Sequence, residues 1–92
     1  MMDTIVVISR AHADTAFRLA KELHSNGSQV HMLFTGRGTH HLSNEDTLKE
    51  LEFAKIYTIE TEFDSPKDEI MAISYVDFIK LLEKCERTFT WI

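Results

Sequence analysis

The chain has 92 residues, 43% of them hydrophobic, and a formal net charge of −5. That length supports one core, so a single domain over 1–92 is expected, and the acidic balance argues against direct nucleic-acid binding, which needs a basic patch. One cysteine excludes an internal disulfide and fits a reducing interior, and no apolar run of about 18 residues is present, so a cytoplasmic protein without a membrane span is expected.

Ile5-Val6-Val7-Ile8 is a continuous β-branched run, the pattern of a strand buried on both faces of a parallel sheet. Asp14 is a candidate cap for a helix whose Ala16, Phe17, Ala20 and Leu23 share one face, and Asn26-Gly27 stops it. Val30 to Phe34 reads as a second strand, and Thr35 to Leu42 as a glycine-bearing loop. Ser43 with Asp46 has capping-box spacing for a short helix to about Phe53, with Leu48 and Leu51 inward. Ile56 to Thr61 reads as a third strand and Ser65-Pro66-Lys67-Asp68 as one capped turn with proline at its first position. Ile70 to Ile73 is a fourth strand, a helix capped by Ser74 follows, and Thr88 to Ile92 is a fifth strand with Phe89 and Trp91 on one face. Strands alternating with helices predict a three-layer α/β/α fold around a mainly parallel sheet of about five strands. The link between strands three and four is short for a crossover, which usually needs about a dozen residues.

In open α/β sheets ligands bind beyond the carboxyl ends of the strands. If strands one and two are neighbours, Arg10 and His12 meet Arg37, His40 and His41 along one edge. That rim is a candidate site for an anion, or for a partner's carboxylate or persulfide; its plain alternative is a solvated edge. A zinc site at His12, His40 and His41 is disfavoured, because adjacent histidines rarely face one metal and no helical His-x-x-x-His pair supports them. Gly36-Arg37-Gly38 lacks both the Lys-Ser/Thr ending of a phosphate loop and the third glycine of a dinucleotide fingerprint. His24 and His31, inside a helix and a strand, read as packed or surface residues. No nucleophile–base–acid set emerges, and no cofactor, metal or independent catalytic activity is expected.

In the last helix Phe78, Ile79, Leu82 and Cys85 share a stripe, which points Cys85 into the core; a thiol in apolar surroundings has a raised pKa and is a poor nucleophile. The apolar end of the chain, Phe89, Trp91 and Ile92, is a candidate interface, since such a strand is too apolar to lie bare at a sheet edge.

The run Ile73-Ser74-Tyr75-Val76-Asp77-Phe78-Ile79-Lys80-Leu81-Leu82, ending on an aromatic strand, resembles the C-terminal signature of the DsrH/TusB branch of the DsrE/DsrF/DsrH-like sulfur-relay family. Thr15 to Lys21 and Phe34-Thr35-Gly36 are similar to the family's general pattern of helix, apolar strand and glycine-bearing loop. The resemblance implies a DsrEFH-like domain that serves as a non-catalytic subunit of a complex passing persulfide sulfur between proteins. The sulfur ends in tRNA 2-thiouridine or in sulfur oxidation. Implied partners are cysteine-bearing DsrE/TusD-like and DsrF/TusC-like paralogues and a DsrC/TusE-like sulfur acceptor, in a homo- or hetero-oligomer. Sulfur-carrying members hold a cysteine beyond a middle strand; Ile56 to Asp64 has none, and neither has 10–26, so no catalytic residue carries over. The alternative is a stand-alone module binding a small anion at the His/Arg rim.

Overall fold

The computed structural model of the chain describes residues 2–60 and 70–91. The elements run β1 (Asp3–Ile8), α1 (Asp14–Ser25), β2 (Gln29–Phe34), a 3-10 segment (Gly36–Ser43), α2 (Glu45–Glu50), β3 (Lys55–Ile59), β4 (Ile70–Ile73), α3 (Tyr75–Lys84) and β5 (Arg87–Trp91). All described strand pairs are parallel, in the order β4-β3-β2-β1-β5. The expected three-layer α/β fold is what forms.

Strand alternation divides the interior. Val6, Ile8, Val30, Met32, Phe34 and Ile56 pack one face of the sheet against Ala16, Phe17, Ala20 and Leu23 of α1 and against Leu42, Leu48 and Leu51. Ile5, Val7, Leu33, Tyr57, Ile59 and Ile73 form the other face, covered by Phe78, Leu81 and Leu82 of α3 and by Cys85. Strands buried on both faces explain the unbroken apolar runs.

Several boundaries differ from the sequence reading, each for a local reason. Asp14 is the first helical residue and Ala13 the cap, with no side-chain bond; the Asp14 carboxylate still lies in the first turn, where the helix dipole favours it. The glycine-bearing loop is coiled, with Gly38 N–H on the Thr35 carbonyl (2.9 Å) and Thr39 Oγ1 on the Gly36 carbonyl (2.8 Å). Because that coil absorbs Ser43, the cap of α2 passes to Asn44, whose Oδ1 accepts from Asp46 and Thr47 N–H, and α2 ends at Glu50 rather than Phe53. Ser74 does cap α3, its Oγ accepting from Asp77 N–H at 3.2 Å. In α3 the inward residues are Phe78, Leu81 and Leu82, while Ile79 faces out. The turn expected at Ser65–Asp68, together with Thr61 and Ile92, lies outside the described residues.

Asn26-Gly27 stops α1 as expected: Gly27 adopts φ +91°, and the N–H groups of Gly27 and Ser28 close on the carbonyls of His24 and Leu23.

Candidate functional site

β1 and β2 are paired from Asp3↔Gln29 to Ile8↔Phe34, so their following loops emerge side by side. The crossover through α1 lies on one face of the sheet and the one through α3 on the other, which puts the reversal of strand order between β1 and β5. Ligand crevices form at the carboxyl ends of such a switch point. Here that end is filled from within. Trp91 sends its indole Nε1–H to the His12 carbonyl (2.9 Å), and its own carbonyl accepts from Ser9 N–H (3.0 Å) and Ser9 Oγ (3.2 Å).

On the other side His41 is an anchor. Its ring stands edge-on to Phe17 (4.9 Å between centroids) and is tilted against Phe34 (5.9 Å), and Nε2 is 3.0 Å from the Arg10 carbonyl. A carbonyl can only accept, so Nε2 carries the proton. The loop after β1 is therefore gripped by an indole from β5 and an imidazole from the 3-10 segment.

Gly38 is part of the same clamp: a Cβ there would lie 2.2 Å from the Ile8 carbonyl oxygen, so only glycine lets the coil approach β1 this closely.

Of the expected rim, Arg10, His12, Arg37 and His40 are exposed at this edge, whereas His41 is half-buried and turned inward. Neighbouring His40 and His41 thus diverge, and among the described residues no three metal-ligating side chains converge. Phe89 and Trp91, expected at an interface, are partly buried on the core beneath α1.

At the opposite end of the sheet lies a polar cluster that the sequence reading did not assemble. His31 is fully buried on β2, with Nε2 3.1 Å from Asp3 Oδ1 and Nδ1 3.1 Å from the Tyr57 hydroxyl. The carboxylate only accepts, so Nε2–H donates to it, and in the neutral ring Nδ1 accepts the phenol proton. The bond from His31 holds the Asp3 carboxyl below its ordinary value; partial burial opposes this and Lys84 reinforces it. Burial raises the Tyr57 phenol, and the nearby Cys85 and Asp3 add to the rise. Cys85, at the end of α3, is buried against Tyr57, Ile5 and Val7, and its thiol is raised by burial and then by Asp3, against a smaller effect of Lys84. Glu86 N–H on the Asp3 carbonyl fixes this end (2.9 Å). The signal available in sequence was His31 itself: a histidine inside a strand buried on both faces must find polar partners on neighbouring strands.

The rim and the thiol are separated by the length of β1, about 20 Å for six residues. A groove of about 370 Å³ opens elsewhere, beside α2 and β3, with Leu48, Leu51, Lys55 and Met71 in its wall.

No helix among the described residues is long and apolar enough to cross a membrane. No protein-family model matches the chain, and no curated protein matches it in sequence. In structure it is similar to the ychN protein from E. coli, with a TM-score of 0.79 at 11% identity, over 99% of this chain and 100% of that one. At that identity the likeness is one of fold, and the chain shares the α/β fold of that protein, with a five-stranded parallel sheet.

Proposed function

We propose that this chain is a non-sulfur-carrying partner subunit of a persulfide relay. The observation that carries the reading is the position of its one thiol. Sulfur transfer needs an accessible thiolate, and Cys85 is buried, raised in pKa and about a strand's length from the carboxyl-end rim. A DsrEFH-like fold with such a cysteine suits a subunit that positions or completes a sulfur-carrying partner. The partners that fit are cysteine-bearing paralogues of DsrE/TusD and DsrF/TusC type, with a DsrC/TusE-like acceptor receiving the sulfur for tRNA thiolation or sulfur oxidation. The exposed Arg10, His12, Arg37 and His40 supply cationic contacts for an acidic or persulfide-bearing surface. The test is purification of the tagged chain from its own cells, with co-purifying proteins and cysteine modifications identified by mass spectrometry. A cysteine-bearing paralogue, with Cys85 unmodified, is expected. A persulfide on Cys85, or no such partner, overturns the reading.

A second reading, a stand-alone anion-binding module, is supported by the same four exposed side chains lying on the segments that follow the paired strands β1 and β2. Calorimetric titration of the purified chain with phosphate and sulfate at pH 6 and pH 8 separates the two. Tight binding that Arg37→Ala abolishes supports the module; no binding at either pH removes it.

A further inference from the structure

Between Ile8, fully buried at the end of β1, and Ala13, buried ahead of α1, the chain crosses the carboxyl edge of the sheet in a short loop, Ser9 to His12. Exposed loops of this kind are normally the more mobile part of a fold. This one is held by its backbone. The Arg10 carbonyl accepts from His41 Nε2–H at 3.0 Å, and the His12 carbonyl from Trp91 Nε1–H at 2.9 Å. Those carbonyls belong to the two residues that the loop gives to the rim. Neither donor is loosely placed: the His41 ring lies against Phe17 and Phe34, and Trp91 packs partly buried on the core. The donors also come from opposite sides of β1, His41 from the segment after β2 and Trp91 from the end of β5.

We propose that His41 and Trp91 are positioning residues of the rim, which hold the loop carrying Arg10 and His12 against the segment carrying Arg37 and His40 and touch no ligand themselves. The inference rests on the reading of the rim as a contact for an acidic surface. The peptide unit is planar, so a carbonyl fixed in space narrows the directions in which its own side chain leaves the loop. His41 does more than Trp91. Arg37 and His40 lie on the same 3-10 segment, so the bond from His41 to the loop sets one cationic half of the rim against the other. Gly38 supports the same contact, since its lack of a Cβ lets the segment close on the Ile8 carbonyl. The adjacent histidines then have separate roles, His40 outward for contact and His41 inward as the tether. A rim assembled in this way has lost its loop entropy on folding, before a partner arrives, and loses less on binding.

Backbone nitrogen relaxation, with calorimetric titration of hexaglutamate as a minimal acidic surface, tests this on the full chain. In the wild type, 9–13 is expected to show the order parameters of rigid backbone, about 0.85. His41→Phe keeps a ring against Phe17 and Phe34 but has no N–H, and Trp91→Phe likewise removes the indole donor. Each is expected to lower the order parameters of 9–13 toward about 0.6 and to weaken hexaglutamate binding about tenfold. The melting temperature should move little, because water can replace either donor at an exposed carbonyl. His41→Gln, whose terminal amide reaches as far as Nε2, is expected to restore both order and binding. Arg37→Ala should weaken binding and leave 9–13 ordered, as loss of a contact residue does. A loop that stays ordered without these donors overturns the inference, and so does wild-type binding that both variants leave unchanged; in either case the rim remains a contact surface. A wild type that does not bind hexaglutamate overturns the cationic contact itself, and the inference falls with it.

Discussion

The two faces of the sheet are built on different principles. The face beneath α1 and α2 is a conventional core in which Phe34, Met32, Leu42 and Leu51 are fully buried, with Leu19, Phe53, Phe89 and Trp91 half-buried at its margin. The face beneath α3 has a smaller core, holds the buried His31–Tyr57 pair bonded to a half-buried Asp3 and the one thiol, and carries every exposed large hydrophobic residue of the described chain. One face is almost wholly apolar packing, and the other mixes packing with polar groups and exposed apolar side chains.

The sharpest way to break this contrast is to truncate neighbours on one strand that point to opposite faces. Phe34→Ala, beneath α1, is expected to cost about 3–5 kcal/mol and Leu33→Ala, beneath α3, about 2–3 kcal/mol, both read by denaturant unfolding. Equal losses would mean that the faces contribute alike. The polar chain comes next. Tyr57→Phe leaves His31 Nδ1 buried without its donor and is expected to cost about 1–3 kcal/mol. If His31→Leu removes the penalty of Tyr57→Phe in a double-mutant cycle, the unmet nitrogen is its source. Cys85→Ala should cost about 1 kcal/mol or somewhat more, from a small cavity, and the folded thiol should label slowly near neutral pH. Rapid labelling would remove Cys85 from the core.

The smallest effect is a pH dependence. Asp3 has a lowered folded pKa, so its contribution is fully present above the ordinary carboxyl value and is lost as pH falls through the lower folded one. Tyr57 and Cys85 are raised, so theirs are present below their unfolded values and fade as pH climbs toward the folded ones. Stability should therefore fall at both extremes, and Asp3→Asn should flatten the acid limb most and soften the alkaline limb less, since the Asp3 charge also helps to raise Tyr57 and Cys85.

The strands and the fold class were legible because burial on both faces writes itself as continuous apolar runs such as Ile5 to Ile8. Ser74 was legible as a cap because its hydroxyl has few other uses at that position. Ser43 misled because capping spacing says nothing of the 3-10 coil ahead of it, and Ile79 because a stripe read from spacing alone does not show how much of it the sheet can cover. In the rim, Arg10, His12, Arg37 and His40 could be grouped from strand order, but the inward turn of His41 depends on the ring edges of Phe17 and Phe34, which only the packed structure brings together. The Asp3–His31–Tyr57 chain was hidden for the same reason, its members being contributed by three separate strands.

Trp91 is the only tryptophan of the chain, and its indole is tied to the backbone carbonyl of His12. The molecule thus carries its own optical reporter at the edge where a partner or anion would arrive. Any event that pulls the 9–13 segment away from β5 must break that bond and rehydrate the ring. It should register as a shift in intrinsic fluorescence, with no label and no change to the protein.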